Sequence, residues 1–402
     1  MAPMTVDKRN RQPKSGARHR AGWILCGPGK WLENGVVTVF EGRVLSVERL
    51  AESGRSGAME DHGAGVIMPA LVNAHTHLTL SALAGKVPYG NGFLGWIQSL
   101  MAARRVLYRD DAVEAAEAAV FRMAASGVGL VGEFGPYLPV AGIMADAGLG
   151  GTVWLEFFGN RKRLPSLPEA VGDITFSYAG HAPNTVNPDL LRHIKQRDAE
   201  EGLLYCLHLA ESIEETVFLE TGKGAWADFL RGLGMDFSGW KCWGKRPVEL
   251  AAELGLLDEA TLAVHLLQVT REDMATLAES RVNICLCPRS NANLHGRLPD
   301  IEGFLSAGMA PALGTDSLAS CDSLSIFDEM HFVAERFTGL RPDQILAMGT
   351  INGARALGRQ DLGRIEPGAA ARLIYVELKA GSAEQAAERL VHEPNEQVTW
   401  LG

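Results

Sequence analysis

Two histidines, His75 and His77, stand one residue apart at the end of an apolar run that begins at Val66. On an extended strand such neighbours project to the same face, so both imidazoles can reach one point. Converging imidazoles are half of a zinc-type site. One such pair proves little, because a buried histidine at a strand end is ordinarily just hydrogen-bonded. Further along, however, His181, His208, His265 and Asp316 each follow a short apolar stretch, and Glu211 lies three residues beyond His208. Taken singly, Asp316 could cap a helix and Glu211 could be a first-turn acid. Five of the eleven histidines falling at strand ends, with both acids in the same order, point instead to a metal site. The other six (His19, His62, His193, His295, His331, His392) have tail, loop or helix contexts, where surface or core roles are the default.

Groups that meet need elements that end together. Apolar strand patterns recur over 66–72, 128–134, 152–158, 174–178, 203–207, 262–264, 282–287 and 311–313. Helical spacing appears between them over 111–125, 188–200, 246–254 and 271–279. Strand–helix alternation of this kind implies an α/β fold with a parallel sheet. About eight repeats favour a closed (β/α)8 barrel of the TIM type over an open doubly wound sheet. The Gly-x-Gly-x-x-Gly turn of the latter is missing. In a barrel, catalytic groups belong at the C-terminal strand ends, where His75, His77, His181, His208, His265 and Asp316 fall.

The flanking segments read differently. Residues 1–20 are polar and basic, with Asp7 as the single acid, and predict a disordered tail. Short strands over 23–26, 36–40 and 44–47 are too few to close a core. A strand over 371–378 can partner them, so 21–65 and 362–402 predict a small β-sandwich around a barrel domain over 66–361. A net charge of -10 argues against nucleic acid as a partner. No apolar run reaches membrane-spanning length, no signal-type core opens the chain, and six scattered cysteines suit a reduced, cytoplasmic protein. The oligomeric state is open, a homodimer included.

The set His-x-His, then His with Glu three residues on, then His, then Asp resembles the amidohydrolase superfamily. More narrowly it resembles the mononuclear-zinc aminohydrolases, which include guanine, S-adenosylhomocysteine and methylthioadenosine deaminases and triazine chlorohydrolases. The likeness spans nearly the whole chain and rests on VNAHTHL at 72–78, HAPNTV at 181–186, HLAES at 208–212, CPRSN at 287–291 and GTDS at 314–317. His265-Leu266 stands where His-Cys is usual, and Ala371-Arg372 where Ala-Asp is usual; neither touches a ligand.

The resemblance implies that His75, His77, His208 and Asp316 bind one Zn²⁺ or Fe²⁺ per chain. Such an ion lowers the pKa of a bound water toward neutrality. Strand four ends in Ser177-Tyr-Ala-Gly-His181, with no lysine to bridge a second metal. Asp316 would take the water's proton, His265 would hold the nucleophile, and Glu211 would protonate a ring nitrogen and then the leaving group. The implied reaction is hydrolytic deamination of an N-heterocycle in a small-molecule purine nucleoside. Loss of chloride or opening of a cyclic amide would use the same groups. A non-catalytic metal scaffold would have no reason to keep Glu211 and His265. The stretches HTHLTLSAL, Phe93-Leu-Gly-Trp96, Glu220-Thr-Gly-Lys-Gly224 and GTDSLAS look most like aminofutalosine deaminases of menaquinone biosynthesis. On that reading His181, Ser317, Trp96 (stacking on the purine) and Arg289 (forked onto the substrate carboxylate) would contact substrate.

Overall fold

A computed structural model describes residues 16–53, 58–135, 139–160, 163–241, 243–393, 395 and 398–401. In chain order its strands are β1 (Ala17–Gly27), β2 (Lys30–Phe40), β3 (Arg43–Arg49), β4 (Glu60–Asp61), β5 (Val66–Pro69), β6 (Leu71–Thr76), β7 (Val128–Phe134) and β8 (Gly150–Phe157). They continue with β9 (Ile174–Gly180), β10 (Tyr205–Leu209), β11 (Thr261–His265), β12 (Asn283–Leu286), β13 (Ala312–Leu313), β14 (Leu373–Val376) and β15 (Thr399–Leu401).

Strands β6 to β13 lie parallel and in sequence order. A bridge between Thr76 and Asp316 joins the first to the last, so the sheet closes into the expected (β/α)8 barrel. Its lumen is filled by side chains from every strand, among them Val72, Leu130, Phe134, Trp154, Cys206 and Leu262. The returning helices carry local stop and start signals. Asn187 accepts the Asp189 N–H, Pro188 occupies the first turn, and Gly202 at φ 69° ends Pro188–Glu201. Ser212 and Gly222 at φ 66° bracket Ile213–Thr221 in the same way. That helix follows directly on β10, which ends in His208-Leu209.

The terminal segments meet in a second, mixed sheet of order β15-β14-β5-β1-β2-β3, with β4 beside β1. The sheet curls: the Val44 N–H donates to the Ala369 carbonyl and the Ala371 N–H to that of Gly42. Ile24, Val37, Val44, Ile67, Ile365 and Leu373 pack inside the curl. The sandwich expected from the termini is thus one sheet bent onto itself.

Three boundaries differ from the sequence reading. The apolar run over 66–72 is two strands: β5 pairs with β1 and β14, and only from Leu71 does the chain enter the barrel. Both sheets bury apolar residues, so the junction at Pro69 and Ala70 leaves no polar mark. Of the segment 1–20, residues 1–15 lie outside the described residues, but 17–20 open β1 instead of trailing as a tail. Its basic side chains are paired, Arg18 with the Ser53 hydroxyl at 3.0 Å and Arg20 with Asp61 at 2.9 Å. Finally, 362–402 contains the helix Ala383–His392, whose Ala386 and Leu390 join the core of the barrel helices. Among the described residues no helix is long and apolar enough to cross a membrane, and the five described cysteines are free thiols.

Gly314 stands where β13 meets β6. A Cβ there would lie 2.8 Å from the Cβ of His75 and 2.8 Å from the Cys285 sulfur. Overpacking of this kind costs about 1–3 kcal/mol. Gly314→Ala is expected to lower stability by that amount and to shed metal, because His75 must move. Thermal unfolding and metal content equal to those of the unsubstituted protein would contradict this.

Candidate metal centre and cavity

The barrel brings His75, His77, His208, His265 and Asp316 to one end of its lumen. The Nε2 atoms of His75 and His208 are 3.3 Å apart, and Asp316 Oδ1 lies 3.9 Å from His75 Nε2 and 3.6 Å from His77 Nε2. Two overlapping triads share His75: one with His77 and Asp316, one with His208 and His265, each with its donor atoms within 4.8 Å of one another. A tetrahedral ion with bonds of about 2.1 Å separates its ligand atoms by about 3.4 Å, so the spacing fits. The donor chemistry of three imidazoles and one carboxylate fits Zn²⁺ or Fe²⁺ equally.

Each donor is held from behind. His77 Nδ1 is 3.1 Å from the Phe134 carbonyl and His208 Nδ1 is 3.0 Å from that of His181. These contacts turn both Nε2 atoms inward. The Phe134 ring forms the floor, 4.8 Å from His75 and 5.2 Å from His208 between centroids. Asp316 Oδ2 accepts the hydroxyls of Ser290 at 2.7 Å and Ser320 at 2.8 Å, leaving Oδ1 for the histidines. Burial, then the neighbouring imidazoles, hold His75 and His208 well below the ordinary histidine range, and His77 down to about 3. All three are therefore neutral near pH 7, the state a metal ligand needs.

Glu211 stands beside this cluster. Its Oε1 is 3.9 Å from His265 Nε2 and 3.4 Å from His295 Nε2. Burial opposes its charge, but His265 and His295 outweigh burial and keep its carboxyl below the usual range. Glu215, one helical turn on, accepts the N–H groups of Ala210 and Glu211 at 3.2 and 2.7 Å and so fixes the Glu211 backbone. His265 Nδ1 is 3.4 Å from the amide nitrogen of Asn291.

A cavity opens above the cluster, walled by Phe93, Trp96, Phe158 and Trp226 and reached by Glu211, Asp316, Ser317, His181, Glu156 and Arg104. Trp96 is both wall and core: its indole N–H donates to the Ala319 carbonyl at 3.0 Å. His181 is fixed through Nδ1 by Thr185 at 2.7 Å, with Nε2 3.9 Å from Glu156. Burial raises the Glu156 carboxyl to about 8.

Arg289 is not among the cavity-lining residues. Its guanidinium contacts Asp322, the Ser323 carbonyl and Glu329, which is wholly buried. These contacts occupy Arg289, and the cation at the cavity is Arg104, from the helix Gly92–Arg105. Sequence reading missed Arg104, Glu156, His295, Ser290 and Ser320. Glu156 near the end of β8 obeys the strand-end rule, and Ser290 lies inside the CPRSN stretch; no signal marks Arg104, a basic residue near a helix end.

Residues 66–399 match the amidohydrolase family. A 5-methylthioadenosine/S-adenosylhomocysteine deaminase of Moorella thermoacetica is 30% identical over 379 residues, covering 87% of this chain and 83% of its own. An aminodeoxyfutalosine deaminase of Deinococcus radiodurans is 30% identical over 330 residues, 75% of each chain. Among solved structures, Helicobacter pylori aminofutalosine deaminase in complex with methylthio-coformycin superposes with a TM-score of 0.83 at 24% identity, covering 95% of this chain and 97% of its own. A zinc-bound adenosine deaminase from Xanthomonas campestris does so at 0.78 and 25% identity, covering 96% and 90%. The family match runs through the barrel and every residue of the metal cluster, and the chain belongs to the amidohydrolase family as a hydrolase of carbon–nitrogen bonds.

Proposed function

We propose that the protein is a metal-dependent deaminase of an adenine-type nucleoside, and that its substrate carries an anionic group, aminofutalosine being the best fit. The observation that carries the deaminase reading is Glu211, held between His265 and His295 beside the metal cluster and under an aromatic-walled cavity. Its relatives include methylthioadenosine/S-adenosylhomocysteine and aminodeoxyfutalosine deaminases, which supports an adenine-type base. Zn²⁺ is the proposed ion, Fe²⁺ its alternative; bound at His75, His77, His208 and Asp316, it supplies an acidified water near neutral pH.

The chain's own groups supply the rest. Asp316, steadied by Ser290 and Ser320, accepts the water's proton, and His265 orients the attacking oxygen toward C6 of the purine. Glu211, ionised at rest, takes up that proton from Asp316 and delivers it to ring N1 as the C–O bond forms. It then carries the proton of the new C6 hydroxyl to the exocyclic nitrogen, the C–N bond breaks as the carbonyl forms, and ammonia leaves. Phe93, Trp96 and Phe158 offer faces for the base. Arg104 is the reason to favour an anionic substrate. Aminofutalosine carries a benzoate and S-adenosylhomocysteine a carboxylate, whereas methylthioadenosine carries no charge. With a benzoate substrate the reaction serves menaquinone biosynthesis.

Two outcomes check this. The protein should hold about one ion per chain at the cluster when metal is stoichiometric, and His208→Ala should lose it. Glu211→Gln should keep the ion yet lose turnover by at least about 10²–10⁴-fold, since it transfers protons without being a ligand. Ammonia release and metal content measured together decide the matter, and a Glu211→Gln protein that lost metal like His208→Ala would make Glu211 a ligand.

The substrate reading is tested by Arg104→Met. A charge-assisted contact to a carboxylate is worth about 1.5–3 kcal/mol, so KM for aminofutalosine should rise about 10–100-fold. Turnover of methylthioadenosine should barely change. Equal losses on both substrates would make Arg104 structural, and an unsubstituted protein preferring the uncharged nucleoside would remove the aminofutalosine assignment.

A further inference from the structure

A second group of metal-type donors lies outside the barrel, on the terminal sheet. The parallel pairing of β1 with β4 sets His19 beside Glu60, and the His62 N–H donates to the Arg20 carbonyl at 2.9 Å. Strand alternation then sorts the side chains. Glu60 and His62 project to the His19 face, while Arg20 and Asp61 pair on the opposite one at 2.9 Å. His19 Nδ1 is 3.1 Å from His62 Nε2 and 3.6 Å from Glu60 Oε2, and His62 Nε2 is 4.0 Å from the same oxygen. Both imidazoles are buried, 7% exposed, whereas Glu60 is 66% exposed and forms the open side. The His62 ring rests on Tyr375 at 5.3 Å between centroids, which holds it in place.

We propose that His19, Glu60 and His62 bind a second divalent ion, of which Zn²⁺ is the natural choice, apart from the catalytic centre. Two imidazole nitrogens and a carboxylate oxygen about 3–4 Å apart are the donors and spacing of a three-ligand zinc site, with a fourth position open to water. The backbone of all three ligands is already set by the ladder, so binding orders only the Glu60 side chain. The ion clamps a weak point of the fold: β4 is two residues long and meets β1 through only two residue pairs.

The test uses the full chain, stripped of metal and equilibrated with Zn²⁺, with ions counted by mass spectrometry after desalting. The unsubstituted protein is expected to bind one ion under stoichiometric Zn²⁺ and a second under excess. Glu60→Gln and His62→Gln should each return the count to one with turnover unchanged, while His208→Ala should retain the second ion alone. Glu60 is exposed, so its variant folds even if the buried His62 substitution does not. A count of one in excess Zn²⁺ would show a plain histidine–histidine hydrogen bond and overturn the proposal. Retention of the second ion by Glu60→Gln would remove Glu60 as a ligand and overturn the site as drawn.

Discussion

Everything at the active end depends on the seam where the first barrel strand meets the last. The N–H groups of Thr315 and Asp316 both donate to the His75 carbonyl, at 3.0 and 3.1 Å. The Thr76 hydroxyl donates to the Asp316 carbonyl at 2.9 Å, and the Asn73 amide to the Thr315 hydroxyl at 2.8 Å. These residues are buried, so each bond lies where an unpaired polar group would be costly. The seam closes the barrel, and in the same stroke sets Asp316 against His75 and His77, two hundred and forty residues away in sequence. Closure and the histidine–aspartate cluster are one piece of structure.

The strand ends are also where the backbone is strained. Of the seven described non-glycine residues with positive φ, four stand at these strand ends: Ala210, His265, Leu266 and Asp316, with φ of 53, 77, 51 and 60°. Left-handed conformations of this kind cost about 1–3 kcal/mol each and persist only where surroundings over-determine them. Here they do: the Leu266 N–H is held by the Leu209 carbonyl, that of Leu267 by Ala210, and that of Ala210 by Glu215. The sharp turn lets a residue leave the sheet while its side chain still points over the lumen. Helical or extended geometry at His265 or Asp316 would carry the side chain past the cluster.

These facts explain what could be read from sequence. The barrel was legible because its strands are buried on both faces and appear as apolar runs, and the clustered histidines and Asp316 because each sits where such a run stops. His75, His77, His208, His265 and Asp316 therefore meet as their spacing implies. The terminal sheet was only half legible. Nothing in the composition of 66–72 marks the switch from one sheet to the other, and the basic residues of β1 hide a strand whose charges find partners on β4 and Ser53. His295 was hidden for another reason: its position on a helix gives no cue that the helix points it at Glu211.

The two arginines show why specificity is harder to read than chemistry. Proton transfer and metal binding need particular residues at strand ends, and the fold makes those positions recognisable. A cation for substrate needs only to reach the cavity without being already committed. Arg289 follows a strand and looks well placed, but it lies against Glu329, a carboxyl that burial pushes up to about 8 even with the guanidinium beside it. Pulling Arg289 toward a ligand would break its contacts with Asp322, the Ser323 carbonyl and Glu329 together. Arg104 lines the cavity itself, with the Glu156 carboxyl in its field. It comes from the helix that also supplies Phe93 and Trp96, so one element after the first barrel strand brings both the aromatic wall and the charge. On the proposed reading, variation in that helix would retune the substrate while the strand ends, locked by the seam, keep the reaction unchanged.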